Sequence, residues 1–145
     1  MMKTFCDDVV VSCNSNQVSE ISQHNKVVLD NATFQNAGPM TGLLSVFKCI
    51  NDSALLVVGC DYPFFTEADM KSLMDAREPG IDVVCYHNWE SGFDEPLLAI
   101  YEKQCASLLI NFYQNGQTSL QQFLKTVRTK RIVPPTLENI KSVDC

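Results

Sequence analysis

An uncharged run from Ala54 to Cys60, Ala-Leu-Leu-Val-Val-Gly-Cys, stops at Asp61-Tyr62-Pro63-Phe64, and it constrains the fold more than any other stretch. Apolar and small residues in that number, rich in Leu and Val and closed by a turn signal, predict a strand buried on both faces of a parallel sheet. Asp61 then stands at the strand's carboxyl end, where the loops of an open α/β sheet splay apart into a ligand crevice. Pro63 keeps Tyr62 out of the α region, so the chain must turn after the aspartate. The alternative reading of Asp61 is a turn or capping residue that touches no ligand.

The 145 residues, 46% of them hydrophobic, suit one domain over residues 1–145 with a real core. A formal charge of −6 argues against a nucleic-acid or anionic-membrane surface, which needs clustered Lys and Arg. Phosphate ligands stay compatible with that charge where a metal or backbone amides offset it. No apolar stretch approaches the roughly 18 residues of a membrane span, and Met1 to Asp8 carry no signal-peptide core, so a soluble cytoplasmic protein is expected. The seven cysteines include no C-x-x-C pair and sit mostly in apolar runs, as reduced buried thiols do.

Further strands are predicted at 8–13, 26–29, 82–86, 95–101 and 131–133, the first two ending at Asn14 and Asp30. Val18 and Ile21 give a weak helical spacing. After Gly38-Pro39-Met40-Thr41-Gly42, the i, i+3, i+4, i+7 pattern of Leu43, Val46, Phe47 and Ile50 predicts a helix with one buried face. Its glycine-bounded entrance is expected to offer unpaired N–H groups to an anion, or else to let the chain pack closely on a strand. Thr66 with Asp69, and Ser119 with Gln122, read as capping boxes of two further helices, and a fourth helix runs from Cys105 to a stop at Asn115-Gly116.

Strand and helix alternate, so a three-layer α/β domain with a mostly parallel sheet follows. Right-handed crossovers between parallel strands would gather Asn14, Asp30, Asp61 and the glycine turn at one sheet edge. An amide, two carboxylates and backbone donors suit a nucleotide with its Mg²⁺, which takes one or two carboxylates and completes its octahedron with water and phosphate oxygens. Asp61 is the expected metal ligand, and Asn14 or Asp30 the contact to base or ribose.

Gly38 to Gly42, Cys60-Asp61-Tyr62-Pro63-Phe64, Glu95-Pro96-Leu97 and Asn139 to Asp144 resemble, in order and spacing, four motifs of the molybdenum cofactor guanylyltransferases. These are nucleotidyltransferases with a Rossmann-like sheet. The resemblance implies transfer of GMP from GTP to molybdopterin with Mg²⁺. It implies Asp61 as the catalytic metal ligand, Asn14, Asp30 and Gly38 on the nucleotide, and Gly42, Glu95, Pro96 and Asn139 on the pterin substrate. The family opens with a strand and a glycine-rich loop bearing Arg and Lys, which these 145 residues lack; Glu95 stands where Gln is usual. Met2 and Phe5 read as the last turn of a helix whose beginning is missing, so an N-terminally incomplete chain is expected. Pairing of two copies through the gap left by the absent strand is a further expectation. Related cytidylyltransferases, and a non-catalytic nucleotide- or pterin-binding module on the same fold, are the alternatives.

Overall fold

The computed structural model describes residues 6–13, 26–34, 37–50 and 52–143. Asn14, Val18, Ile21, Met2 and Phe5 lie outside them. The strands are β1 (Val10–Cys13), β2 (Lys26–Leu29), β3 (Leu55–Val58), β4 (Val83–His87), β5 (Asp94–Tyr101) and β6 (Thr129–Ile132), and the helices are α1 (Pro39–Cys49), α2 (Glu67–Asp75), α3 (Cys105–Gln114) and α4 (Leu120–Thr126).

Among the described residues, β1 and β2 form a parallel pair, and the other four strands form a sheet in the order β3-β5-β4-β6. β5 runs antiparallel to both β3 and β4, while β4 and β6 are parallel. Strands β3, β4 and β6 therefore point the same way, and the α/β class and prevailing direction agree with the sequence. The expectation for β3 needs correction. All four of its residues are only half-buried, and among the described residues it pairs with β5 alone, which puts it at the edge of the four-stranded sheet they form. Its uninterrupted apolar character reflects packing on two faces, not partners on two sides.

Alternation along the strands builds three layers, because successive side chains point to opposite faces. Val83, Cys85, Ala99 and Tyr101 face α1, α3 and α4 through Met40, Leu44, Leu109, Phe123 and Leu124. Val84, Tyr86, Leu98 and Ile100 face the other way, against Met70 and Leu73 of α2 and Ile140 of a short 3-10 turn at Leu137–Ile140. Helix α1 also lies against β1 and β2, so it reaches both sheets.

The register of β4 and β5 breaks after Cys85↔Ala99 and resumes at Tyr86↔Glu95. Pro96 lies in the stretch this break skips. A residue without an N–H cannot hold a ladder position in a paired strand, and a bulge accommodates it. The bulge shifts Asp94 and Glu95 relative to the rest of β5, next to the carboxyl end of β4.

Candidate active site

The carboxyl ends of β3, β4 and β6 and the start of β5 lie along one edge of the sheet. Beyond β3, Gly59 donates to the Leu97 carbonyl at 2.8 Å, and the chain then turns back. A Cβ at Gly59 would sit 2.9 Å from the Tyr62 ring and 3.0 Å from Asp61 Oδ1. A hydrogen at that position lets both side chains fold over the strand end. The Asp61 carbonyl accepts from the Val143 amide at 2.9 Å, which ties the C-terminal segment to the turn. The Asp61 carboxylate is half-buried and makes no hydrogen bond or ion pair with a described residue. It is neither sealed in the core nor held as a cap.

Tyr62 donates its hydroxyl to Glu95 Oε2 at 2.8 Å. Burial raises the Tyr62 pKa, and the hydrogen bond to the neighbouring carboxylate adds to it, so the phenol stays a donor. Burial also pushes the Glu95 carboxyl up; the bond from Tyr62 works against this, while the charges of Asp61 and Asp94 add to it. The protonated form of Glu95 is thus favoured by folding. Its stabilising contribution is fully present below the ordinary carboxylate value of 4.5 and is lost as pH rises through the higher folded value. The melting temperature of Glu95→Gln is therefore expected to gain on that of the parent chain as pH is raised from about 4 to 7. A gap between the two proteins that stays constant across that range would contradict this reading.

Glu95, Pro96 and Tyr62 line a cleft of about 460 Å³ together with Pro39, Phe93 and Gln121. Asp94 lies at its wall, 6% exposed, and its carboxylate is engaged from two sides: Arg131 Nε donates to both oxygens at 2.9 and 3.0 Å, and His87 Nδ1 is 2.7 Å from Oδ1. The Gln121 amide is engaged as well, donating to the Asp94 carbonyl and accepting from the Asp94 amide.

Residues singled out in the sequence fall into three groups. Asp61, Glu95 and Pro96 come together at the sheet edge, with the glycine turn represented by Pro39. Asp30 is exposed beyond β2 and accepts from Ser12 of β1 at 3.4 Å. The register of the pair ends at Cys13↔Leu29, and Asn14 is outside the described residues. Asn139 is engaged elsewhere: its Nδ2 donates to both oxygens of Asp69 at 3.3 and 3.2 Å, and its Oδ1 accepts from Thr136.

Of the two expectations for the helix entrance, the structure favours close packing over free donors. Pro39 has no N–H, Met40 N donates to the Ala37 carbonyl at 3.2 Å, and Thr41 N to the Gly38 carbonyl at 3.0 Å. The first turn closes on itself and does not present three free donors. Gly38, at φ +58°, adopts a backbone that L side chains avoid, which starts this turn. At Gly42 the close-packing alternative holds, because an added Cβ would lie 3.0 Å from Ser12 Oγ. Gly59, Tyr62 and the His87-Asp94-Arg131 cluster were not among the functional residues read from the sequence. Only the Tyr-Pro pair after Asp61 carried a local signal; within the cluster, Arg131 is 37 positions from Asp94.

Among the described residues no three His, Cys, Asp or Glu side chains group to enclose a metal. One accessible, unengaged carboxylate still fits Mg²⁺, which binds through one or two carboxylates together with substrate phosphates.

A mixed sheet covered on both faces, with an open cleft and an unengaged carboxylate where β3 ends, defines a layered α/β domain. The sequence profile described as "MobA-like NTP transferase domain" matches residues 1–132, and the chain belongs to that family. A molybdenum cofactor guanylyltransferase of Pseudomonas entomophila is 24% identical over 124 residues, 86% of this chain and 63% of the relative. A molybdenum cofactor biosynthesis bifunctional protein of Synechocystis is 21% identical over 99% of this chain and 41% of its own length. The chain thus spans about 63% of the Pseudomonas relative. Its fold is that of molybdopterin-guanine dinucleotide biosynthesis protein A from Archaeoglobus fulgidus, with a TM-score of 0.71 at 18% identity over 91% of this chain and 67% of that one. A putative protein from Aquifex aeolicus matches with a TM-score of 0.78 at 16% identity, over 99% of this chain and 74% of that one.

Proposed function

We propose that the chain is a nucleotidyltransferase domain that transfers GMP from GTP to the phosphate of molybdopterin, releasing pyrophosphate. The observation that carries the reading is the half-buried, unengaged Asp61 carboxylate at the sheet edge in a chain of this family. An acceptor phosphate oxygen attacks the α-phosphorus in line, and the bond from that phosphorus to the pyrophosphate oxygen breaks. No side-chain nucleophile is needed; positioning and charge neutralisation set the rate. Asp61 would hold Mg²⁺, which supplies charge stabilisation to the phosphoryl oxygens when bound. Asn14, Asp30 and Gly38 are assigned to the nucleotide. Gly42, Glu95 and Pro96 are assigned to the acceptor, with Asn139 acting by holding the 137–143 segment against α2. Incubation with GTP, Mg²⁺ and molybdopterin is expected to release pyrophosphate and form the guanine dinucleotide. Release without the dinucleotide, or neither product, would count against the proposal.

A second reading is favoured by one feature: no Lys or Arg is among the described cleft residues, and the first-turn amides of α1 are engaged. This suits a module that binds a nucleotide or pterin without chemistry. Its signature is GTP affinity that does not change with Mg²⁺ or with loss of Asp61.

The cytoplasm is the proposed compartment. It fits the thiols of Cys6, Cys49, Cys85 and Cys105, none of which is in a disulfide. Among the described residues, no helix is long and apolar enough to cross a membrane. Among those residues, too, β1 is unpaired on the side away from β2, and β3 on the side away from β5. Open edges template pairing with another chain. Light scattering on a sizing column is therefore expected to report a dimer, whereas a monomer at all concentrations contradicts pairing through these edges.

A further inference from the structure

Among the described residues, the backbone at the start of β5 lacks a strand partner on one side. Asn88 N donates to the Phe93 carbonyl at 2.9 Å, and the next pair in the register is His87↔Asp94. Bonded and non-bonded pairs alternate along an antiparallel ladder, so the Asp94 N–H and carbonyl point away from β4. On that other side β3 has already ended: its last ladder pair is Val58↔Leu98, and beyond it Gly59 reaches only the Leu97 carbonyl. Two side chains take up the groups left over. The Gln121 amide, carried on α4, accepts from the Asp94 N–H at 3.3 Å and donates to the Asp94 carbonyl. A primary amide presents a donor beside an acceptor as a peptide unit does, so Gln121 stands in for a strand residue. Further along β5, the Tyr101 hydroxyl donates to the Pro96 carbonyl at 2.7 Å, from a side chain with no exposed surface. Glu95 lies between the two residues held in this way. The Asp94 carboxylate is fastened as well, by Arg131 and His87.

From this geometry we infer that Gln121 and Tyr101 are positioning residues of the cleft: they replace the strand partner that β5 lacks and fix where Glu95 and Pro96 meet the acceptor. The inference rests on the proposed function for assigning Glu95 and Pro96 to that substrate. A bulge re-aims side chains at the expense of ladder bonds, and these two side chains restore the fixed geometry that a binding site needs.

Two variants test this by equilibrium titration of molybdopterin and of GTP into the full chain. Gln121→Met keeps the length of the side chain but bonds neither backbone group, and Tyr101→Phe loses one oxygen. Each is expected to bind molybdopterin about 10- to 100-fold more weakly than the parent, with GTP affinity within about twofold. Tyr101 is buried and is not among the described residues that line the cleft, so a shift in that variant comes from displaced backbone and not from a lost contact. A merely structural role would lower both affinities together, through the folded fraction. Amide hydrogen exchange reads the clamp itself. The Asp94 amide is expected to exchange at least about tenfold faster in Gln121→Met, while those of Cys85 and Ile100 keep the parent rate. Unchanged exchange at Asp94, equal loss of both affinities, or no change in either overturns the inference. Loss confined to GTP keeps the two positioning residues and moves Glu95 and Pro96 to the nucleotide, against the assignment above. A parent that binds both ligands but forms no guanine dinucleotide removes the transferase reading and leaves the inference standing; a parent that binds neither removes both.

Discussion

Replacing Asp61 with Asn is expected to lower the rate of GMP transfer by about 10³-fold, the equivalent of several kcal/mol of metal-derived charge stabilisation. Asn retains the size of the side chain and one carbonyl oxygen, so the turn over Gly59 should persist. What disappears is the negative charge that would pair with a divalent cation. Because the Asp61 side chain bonds no described residue, removing its charge leaves no protein partner stranded. The melting temperature should therefore stay near that of the parent. Transfer assays under saturating GTP and acceptor measure the effect, and a fall smaller than tenfold would show that the carboxylate is not the metal ligand.

The second large effect is on stability. Asp69 is 2% exposed at the start of α2, and its Oδ2 accepts from the Thr66 amide at 2.9 Å and from the Thr66 hydroxyl at 2.8 Å. Thr66 Oγ1 in return accepts from the Asp69 amide at 3.2 Å, which completes the capping box. The same carboxylate receives both bonds from Asn139. One side chain thus caps α2 and fastens the C-terminal segment, which reaches on to Asp61 through Val143. Asp69→Ala is expected to cost about 3 kcal/mol, combining about 1 for the lost cap with 1 to 3 for buried donors left unpaired. Urea denaturation should show the loss as a lower midpoint with an unchanged slope. Thr66→Ala, which removes the capping hydroxyl and its methyl group but leaves the Asp69 carboxylate and its Asn139 bonds, should cost about 1 kcal/mol. Equal effects from both substitutions would mean that the Asn139 connection contributes nothing.

Local chemistry made part of this fold legible in the sequence. The Thr66–Asp69 box and the stop at Asn115-Gly116 were readable because each is set by residues within a few positions, and Gly116 has the positive φ of 85° that such a stop requires. The position of Asp61 was readable because an apolar run ends abruptly at a Pro-closed turn. The direction of β5 was not assigned from the sequence, although a clue was present. Only the residues from Asn88 to Phe93 separate β4 from β5, too few for the crossover of a dozen or more residues that a parallel neighbour needs. Counting that loop would have placed β5 antiparallel beside β4; its pairing with β3 had no such local sign. The α1 entrance stayed open between two readings for a related reason. Glycine spacing indicates a tight approach, but whether N–H groups remain free depends on how the turn closes, and here Ala37 and Gly38 accept them. Asn139 and Asp94 lay beyond local reading altogether, since their partners are 70 and 37 positions away.

The transferase account depends on the carboxylate of Asp61 acting with a divalent cation and a nucleotide. Titration of GTP into the protein and into Asp61→Ala, each with and without Mg²⁺, tests this most directly. The account predicts that Mg²⁺ tightens GTP binding to the parent chain by at least about tenfold and leaves the variant unchanged. Binding of equal strength in all four titrations would contradict it.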